Sequence, residues 1–385
     1  MTQAILGLIG AGNLAKNQHL PNLMWTPHAR LKTVCDLREQ AVRDAQAQFR
    51  VPNGETDYRK VLADPEIQGV VIATRAEQHA ELTIEALRAG KHVYVEKPLA
   101  ESVPQCQAIV AEQKKSGKNV AVGFNRRFAP AYRKAKELLQ ANGGARNIYY
   151  RISDTYCYTW GKNYPPGQRV FHELCHIFDL LRWLTGSEIE SVYTIASRPD
   201  DEIITLKFKD GPVATILSSG WSTLDWPKEY IEVVAAKGGL TVDSFVELRT
   251  YGLPGAERCY RYRGHFHPRS EWTQRYLYEA LGIEALRAIC SMEPDRFAVE
   301  CGRKLPEDAS GEDQVHHEFL SHRLAGAGYS VDKGWIHAMD HFGACILNGQ
   351  TPETASARDG LIGELLANAV VESRKLKGPV RMSEC

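Results

Sequence analysis

The sequence has no excess of charge and no long apolar run, and both absences narrow its possible functions. Its 47 Lys and Arg residues equal its 47 Asp and Glu residues in number. A chain without a basic surplus lacks the electrostatic footprint of a nucleic-acid-binding or polybasic membrane-surface protein. No stretch approaches the roughly 18 consecutive apolar residues that a transmembrane helix needs. We therefore expect neither nucleic-acid nor membrane partners.

Paired cysteines and a leader-like N-terminus are also missing. The nine cysteines include no C-x-x-C pair, and an odd number spread along the chain does not form a disulfide framework. Reduced thiols in a cytosolic protein are the simplest interpretation. Residues 1–5 lack the basic region and cleavage site of a signal peptide. The sequence therefore predicts a cytoplasmic protein.

Two alternating periodicities fill the first 124 residues of this 385-residue chain. Stretches of helical spacing lie at 37–49, 77–89 and 103–115. The apolar runs between them lie at 5–10, 31–35, 69–73, 92–95 and 120–124. Apolar strands that alternate with helices imply a parallel sheet covered on both faces. The fold class is therefore predicted to be α/β, with a doubly wound, dinucleotide-binding Rossmann domain at residues 1–124.

The pattern changes after residue 125. The β-like segments lie at 147–156, 191–196, 203–208, 213–218, 230–235 and 240–249. Asp210-Gly211 and Gly238-Gly239 separate such runs as hairpin turns. Residues 125–385 are therefore predicted to form an α+β domain with a mostly antiparallel open sheet. Within this domain, residues 251–330 are not assigned to elements and form either an insertion or a lid. The final helices of the chain can pack back on the Rossmann domain.

Residues 10–15, GAGNLA, fit the dinucleotide-binding pattern G-x-G-x-x-A directly after the first predicted strand. Gly10 permits a tight turn, Gly12 lets the backbone approach a pyrophosphate, and Ala15 allows close packing of helix and strand. The N-terminal N–H groups of the helix favour an anion. The start of this helix adds Asn13 and Leu14 to the predicted cofactor contacts.

Asp36 ends the second predicted strand, where an acidic residue can bind a ribose 2′-hydroxyl. Because its carboxylate would repel a 2′-phosphate, the sequence favours NAD over NADP. Arg38 is an opposing signal, since a nearby cation could hold that phosphate. A solvated surface charge is the alternative interpretation of Arg38.

Several motifs resemble those of one oxidoreductase family. Residues 91–99, KHVYVEKPL, are similar to the E-K-P segment of the Gfo/Idh/MocA oxidoreductases, the relatives of glucose–fructose oxidoreductase and inositol dehydrogenase. Residues 123–128, GFNRRF, resemble the family's domain junction, and residues 173–179, ELCHIFD, resemble its H-x-x-D helix. Residues 332–335, DKGW, resemble a late region that returns towards the dinucleotide domain.

This resemblance implies specific catalytic and cofactor-binding residues. Lys97 would lie beside the nicotinamide and stabilise negative charge on the reacting oxygen. His176 would accept the hydroxyl proton, and Asp179, three positions later, would orient its imidazole. The family positions on the cofactor side are matched by Thr74, His79, Glu96 and Lys97.

The chain departs from the commoner inositol-dehydrogenase-like pattern on the helix that carries His176. His172 stands four residues earlier, where that pattern has Asp, and Glu173 supplies an acid one position later. Either residue takes the role of the missing Asp, which makes both catalytic candidates, or both face solvent in the first helical turn. Arg75 and Ala76 likewise replace the Pro-Asn of the family's T-P-N-x-x-H segment.

Polar and aromatic residues are dense around the first strand of the second domain and the loop after it. Such a mixture suits a sugar, which presents hydroxyls and apolar C–H faces. The predicted substrate-binding residues are Arg127, Asp154, Tyr156, Tyr158 and Trp160. The residues at 154, 156 and 158 would share one face if the strand extends that far. An ordinary aromatic β surface is the alternative.

No metal site is predicted. The candidate ligands are histidines at positions 265, 267, 316, 317 and 322. No Cys or carboxylate spacing completes a zinc pattern around them.

We therefore expect an NAD-dependent oxidoreductase that acts on a secondary hydroxyl of a sugar, sugar derivative or cyclitol. Two alternatives stay open. Some relatives oxidise a glycoside transiently, eliminate the aglycone, add water and reduce the sugar again, which makes them NAD-dependent glycoside hydrolases. The yeast galactose repressor resembles the family yet acts as a ligand-sensing binding protein. The resemblance also implies a homodimer or homotetramer that forms through the exposed face of the second sheet.

Overall fold

The computed structural model describes residues 3–24, 26–222, 228–262, 265–266, 329–330 and 332–382. Its first sheet is parallel throughout. The strands of this sheet are β1 (Ala4–Ile9), β2 (Ala29–Cys35), β3 (Asn53–Glu55), β4 (Gly69–Ile72), β5 (His92–Val95) and β6 (Val120–Val122). Their order is β3-β2-β1-β4-β5-β6, the arrangement of a doubly wound dinucleotide-binding fold. This part of the fold prediction is confirmed.

Helices cover both faces of the parallel sheet, which explains why its strands are apolar along their whole length. All four residues of β4 are buried. The helices are α1 (Leu20–Leu23), α2 (Glu39–Phe49), α3 (Tyr58–Ala63), α4 (Ala76–Arg88) and α5 (Val103–Ser116), and a π-helical turn (Ala15–His19) precedes α1. The strand order reverses between β1 and β4, so the carboxyl ends of these two strands open a crevice.

The second sheet is mostly antiparallel, as predicted, with β7 and β10 as a parallel pair. Its strands are β7 (Ala145–Ser153), β8 (Ile189–Arg198), β9 (Asp201–Phe208), β10 (Val213–Ser219), β11 (Glu229–Ala235), β12 (Gly239–Asp243), β13 (Glu247–Tyr251), β14 (Cys259–Arg261) and β17 (Val380–Arg381). They pair in the order β14-β13-β12-β11-β7-β10-β9-β8-β17. A separate pair is formed by β15 (His265–Phe266) and β16 (Tyr329–Ser330). Buried and exposed residues alternate along β9, so one face of the sheet packs on the core and the other is open.

Four further helices complete the described part of the fold. They are α6 (Pro130–Ala141), α7 (Cys175–Thr185), α8 (Trp335–Asn348) and α9 (Ala357–Leu376). A 3-10 turn (Asn125–Phe128) follows β6, and a π-helical turn (Val170–Leu174) leads into α7. Among the described residues, no helix combines the length and the apolar character that a membrane span requires.

Helix α8 lies against the parallel sheet, and helix α9 packs on β8 of the second sheet. Helix α8 contributes Met339 and Phe342 to the core that contains Leu6 and Leu8 of β1. Helix α9 contacts both α5 and α7, and a capping box between Ser356 and Asp359 fixes its start. The predicted domain division at residue 124 falls between β6 and the 3-10 turn and stays a prediction.

Strand β7 is shorter than predicted. It ends at Ser153, because the Asp154 carboxylate accepts the Tyr156 backbone N–H at 3.1 Å and turns the chain. Two 3-10 turns, 156–158 and 160–163, follow. Residues 154, 156 and 158 therefore do not share a strand face, and that expectation was wrong. The rest of the unassigned segment, 267–328, lies outside the described residues, and so do the histidines at 267, 316, 317 and 322.

Candidate active site

A cavity of about 650 Å³ opens at the carboxyl ends of β1, β2 and β4. Five of the predicted cofactor residues line it, namely Gly10, Gly12, Leu14, Asp36 and Thr74. The cavity lies where the strand order reverses, the position at which doubly wound sheets bind nucleotides. These five of the nine predicted cofactor residues are therefore brought together at one crevice.

The two glycines of the cavity have different physical roles. Gly10 has a φ of +98°, and a Cβ there would lie 2.6 Å from the Ala73 carbonyl oxygen. A Cβ at Gly12 would meet no atom within 4 Å, so the backbone is open to a ligand there. Ala15 is fully buried below them. A pyrophosphate that needs close approach to the backbone fits this cradle.

Asp36 is held at the edge of the cavity by donors of Ala11 and Arg38. Its Oδ2 accepts the Ala11 backbone N–H at 2.9 Å. Its Oδ1 accepts the backbone N–H of Arg38 at 2.9 Å and Nε of the same residue at 3.1 Å. Burial raises the pKa of Asp36, but the hydrogen bonds from Arg38 and Ala11 outweigh it and lower the pKa overall. The ionised carboxylate favours a free ribose hydroxyl and opposes a 2′-phosphate.

Glu96 and His79 lie beneath the cavity and do not line it. Glu96 Oε1 is 2.9 Å from His19 Nε2, both side chains being buried, and Oε2 accepts the Lys97 backbone N–H at 3.2 Å. His79 Nδ1 lies 2.7 Å from the Pro98 carbonyl oxygen. Through these contacts with Lys97 and Pro98, Glu96 and His79 fix the turn after β5 and so position Lys97. Asn13, the remaining predicted contact, is exposed at the helix start.

Lys97 follows β5 at the domain junction. Its Nζ donates to the His172 carbonyl oxygen at 2.6 Å and lies 3.9 Å from Glu173 Oε1. The ammonium therefore contacts the π-helical turn that leads into α7. This contact places Lys97, His172 and Glu173, three of the four predicted catalytic residues, in one cluster.

His176 completes the cluster on the first turn of α7. The residue is 5% exposed, and its Nδ1 has no hydrogen-bond partner in the part of the chain that the structure describes. Phe124 packs edge-on against the ring at 5.6 Å between centroids. Burial lowers the pKa of His176 well below its usual range, and the nearby cations Arg126 and Lys97 lower it further. The imidazole is therefore neutral at physiological pH.

Asp179 does not have its predicted role of orienting the imidazole, because it pairs with Arg127. The Asp179 carboxylate forms a two-point ion pair with Arg127, away from the His176 ring. Arg127 also lies 3.1 Å from Asp359 at the start of α9. Both residues are buried and join the domain junction to the C-terminal helix. The Asp179 carboxylate is therefore committed to this network, and the substrate contact predicted for Arg127 stays a prediction.

Glu173 is a buried carboxylate and not a solvent-facing residue. Its side chain is 10% exposed, and Oε2 accepts Lys228 Nζ at 3.0 Å. Burial raises its pKa, but Lys228 and Lys97 outweigh burial and hold the pKa well below the usual range. Lys228 also reaches Asp154 Oδ2 at 2.9 Å. No motif marks Lys228 in the sequence, so this contact was missed.

His172 pairs with a buried tyrosine. Its Nδ1 lies 2.8 Å from the Tyr156 hydroxyl, and the Tyr164 ring packs on it at 4.4 Å between centroids. Burial, followed by the charge of Lys97, lowers the pKa of His172 to about 4. Burial also raises the pKa of Tyr156. The pair is neutral and hydrogen-bonded beside Lys97.

The remaining substrate candidates are divided between interior and surface. Asp154 binds both Lys228 and Arg169, the latter at 3.2 Å. Tyr158 is 60% exposed and packs edge-on against Trp221. Trp160 lies at the start of the second 3-10 turn. Tyr156 contacts the catalytic cluster through His172, and Asp154 is joined to it through Lys228.

A larger cavity of about 1140 Å³ lies elsewhere and contains none of the predicted site residues. Its cations already have partners, since Arg133 binds Glu353 at 2.8 Å and Lys136 lies 4.1 Å above the Trp183 ring. Within the described residues, no group of His, Cys, Asp and Glu is arranged to hold a metal ion.

Comparisons with known proteins identify relatives of this chain. Two family models match: residues 5–124 fit the Gfo/Idh/MocA oxidoreductase family, NAD-binding Rossmann fold, and residues 132–241 fit the Gfo/Idh/MocA C-terminal domain. Myo-inositol 2-dehydrogenase of Thermotoga maritima is 28% identical over 63% of this chain and 76% of its own. Levoglucosan dehydrogenase of Pseudarthrobacter phenanthrenivorans is 29% identical over 54% of this chain and 60% of its own.

Solved structures share this fold. The scyllo-inositol dehydrogenase of Lactobacillus casei, solved with bound NAD(H) and scyllo-inositol, has a TM-score of 0.70 at 20% identity. The match covers 99% of each chain. Together with the two family models and the dinucleotide crevice, this shows that the chain belongs to the Gfo/Idh/MocA family of oxidoreductases and carries its NAD-binding Rossmann domain.

Proposed function

We propose that this protein is an NAD-dependent dehydrogenase that oxidises a secondary hydroxyl of a sugar or cyclitol. The observation that carries the proposal is the neutral, buried His176, whose Nδ1 lacks a partner among the described residues. The same cluster contains Lys97, at the domain junction. The named relatives, which act on inositols and levoglucosan, support the substrate class.

The residues of the cluster divide the reaction between them. When bound, the nicotinamide supplies the hydride acceptor. His176 accepts the proton of the substrate hydroxyl, because its neutral ring offers a lone pair. Lys97 stabilises the negative charge that develops on the same oxygen. Glu173, 3.9 Å away, balances the Lys97 charge, and the pair formed by Glu96 and His19 holds the Lys97 turn in place.

The test follows NADH absorbance and aglycone release together, with NAD+ and a panel of free sugars, inositols and aryl glycosides. We expect NADH to accumulate in proportion to the sugar or cyclitol consumed. A panel that produces no NADH with any free sugar or cyclitol, from protein shown to bind NAD, would contradict the proposal.

The Tyr156–His172 pair favours a second candidate, an NAD-dependent glycoside hydrolase. Elimination of an aglycone needs a second proton carrier besides His176, and this pair lies next to Lys97 with its hydroxyl and ring nitrogen 2.8 Å apart. Release of aglycone without net NADH would identify this activity. A Tyr156→Phe variant would then lose aglycone release and keep NAD binding.

The same proposal includes a homo-oligomer. The outer face of the second sheet exposes Tyr193, Ile195 and Ile203 at 37%, 60% and 50%. Exposed apolar residues on one sheet face are typical of protein interfaces. Light scattering after gel filtration should give a dimer or tetramer mass, whereas a monomer at micromolar concentration would contradict this part.

A further inference from the structure

A chain of alternating charges crosses the domain junction at the proposed reaction centre. It runs from Lys97 to Glu173 and then to Lys228, Asp154 and Arg169. The nitrogen-to-oxygen distances along it are 3.9, 3.0, 2.9 and 3.2 Å. The longest of these contacts is the one between Lys97 and Glu173. The position of the Glu173 carboxylate therefore depends more on Lys228 than on Lys97.

The far end of this chain is anchored in the second sheet. Arg169 is fully buried, and its guanidinium donates to the Ser218 hydroxyl on β10 and to the Ile152 carbonyl oxygen on β7. Arg169 Nε donates to Asp154 Oδ1 at 3.3 Å, and Asp154 Oδ2 lies 3.2 Å from the Nη2 atom of the same guanidinium. Asp154 is therefore a fixed carboxylate that can hold the next cation of the chain.

Lys228 is held through both its backbone and its ammonium. Its carbonyl oxygen accepts the Ser153 backbone N–H at 2.8 Å, which fixes the residue beside the end of β7. Its Nζ lies between Glu173 Oε2 and Asp154 Oδ2. Burial lowers the pKa of Lys228, but Glu173 and Asp154 outweigh burial and raise the pKa overall. The side chain is therefore a cation at physiological pH and joins two carboxylates from different elements.

The two oxygens of Glu173 face different ammonium groups. Oε2 accepts Lys228 Nζ at 3.0 Å, whereas Oε1 lies 3.9 Å from Lys97 Nζ. Burial raises the pKa of Glu173, and Lys228 is the strongest of the cations that lower it, ahead of Lys97. Without Lys228, Lys97 would be the nearest cation left to this carboxylate among the described residues. The carboxylate would then move into direct contact with Lys97, because a buried charge is stabilised by close pairing.

We propose that Lys228 is a positioning residue that draws the Glu173 carboxylate away from Lys97 and so keeps the Lys97 charge available to the reacting oxygen. At 3.9 Å, Glu173 balances the Lys97 charge without a hydrogen bond to it. A carboxylate in direct contact would occupy the N–H groups of Lys97 and compete with the developing oxyanion. The inference rests on the proposed function, because Lys228 acts through the role given there to Lys97.

Three variants test this role with the free sugar or cyclitol that gives the fastest NADH formation in the panel. Lys228→Met should lower kcat about tenfold or more, because Glu173 then pairs with Lys97. Lys228→Arg keeps the cation and should retain most of the activity. Lys228→Met combined with Glu173→Gln should recover much of the lost kcat, because no carboxylate is left to contact Lys97. A merely structural role predicts the opposite, since a second substitution in the same cluster would add to the damage.

A second readout needs no substrate. The purified protein is treated with a limiting amount of acetic anhydride, and mass spectrometry compares acetylation of Lys97 with that of the exposed Lys115 on α5. Direct contact with a carboxylate stabilises the unreactive ammonium form of a lysine. Acetylation of Lys97 should therefore slow about threefold or more in Lys228→Met. It should return towards the wild-type rate when Glu173→Gln is added.

Lys207→Met is the matched control. Lys207 binds Glu190 at 2.8 Å in a pair between β9 and β8, and the variant should behave as wild type in both readouts. NAD affinity, measured by titration, should stay unchanged in every variant, which shows that the dinucleotide domain is intact. If Lys228→Met fails to fold, Lys228→Gln removes the same charge and carries the same predictions.

The outcomes separate this inference from the function on which it rests. Acetylation of Lys97 within about twofold of wild type in Lys228→Met would overturn the inference, whether or not kcat falls. A double variant that is slower than the single variant would also overturn it. Neither result contradicts the dehydrogenase proposal. The predicted acetylation pattern without NADH formation from any sugar or cyclitol would support the position of Lys228 between Glu173 and Asp154 and would contradict the dehydrogenase.

Discussion

The two cavity glycines allow a substitution that separates cofactor binding from folding. A Cβ at Gly12 would meet no atom within 4 Å, so Gly12→Ala adds a methyl group without a clash inside the protein. We expect its free energy of unfolding to stay within about 0.5 kcal/mol of wild type. The methyl group would occupy the space that a pyrophosphate needs to approach the backbone. The NAD dissociation constant should therefore rise at least tenfold, or about 1.4 kcal/mol.

Gly10→Ala is the contrasting variant. The φ of +98° and the 2.6 Å approach of a Cβ to the Ala73 carbonyl oxygen predict a loss of stability of about 1–3 kcal/mol. Urea unfolding measures stability, and calorimetric titration with NAD measures affinity. Wild-type NAD affinity in Gly12→Ala would refute the placement of the pyrophosphate at this turn.

Three further predictions use other parts of the molecule. Asp36→Ala releases Arg38 and should raise kcat/KM with NADP, relative to kcat/KM with NAD, at least tenfold. An unchanged ratio would contradict the role of this carboxylate in excluding a 2′-phosphate. Glu229→Gln leaves the buried Arg126 without its anion and should cost about 3–5 kcal/mol in urea unfolding, whereas a loss below about 1 kcal/mol would show that the pair is not a stability determinant. Burial holds the pKa of His92 at about 4, so the unfolded chain binds more protons between about pH 4 and 6.5 and stability falls as pH is lowered. His92→Gln should reduce the difference in free energy of unfolding between pH 7.5 and pH 5 by about 1–2 kcal/mol. An unchanged difference would contradict the lowered pKa of His92.

The parallel sheet and its cofactor crevice could be predicted because local sequence determines them. Strands buried on both faces are continuously apolar, and helices with one apolar face separate them. Gly10 and Gly12 act through their own backbone, and Asp36 is fixed by the strand that it ends. These features need no knowledge of distant partners. Lys97 and His176 were found through motifs, and the structure brings them into one cluster.

The partners of charged residues could not be predicted in this way. Arg127 pairs with Asp179 and Asp359, which lie 52 and 232 positions away in the sequence, so its use as a structural cation depends on packing. Lys228 stands in no motif and gains its importance from Glu173. The end of β7 depended on a side chain–backbone hydrogen bond that β periodicity does not encode.

The central claim is that His176 accepts the substrate proton, and His176→Asn tests it most directly. With the substrate identified by the NADH assay, kcat of this variant is compared with that of wild type, and NAD affinity is measured by titration. General-base catalysis contributes about 100- to 10,000-fold to rate. We predict a fall in kcat of at least 100-fold with unchanged NAD affinity. Turnover within tenfold of wild type would show that another group takes the proton.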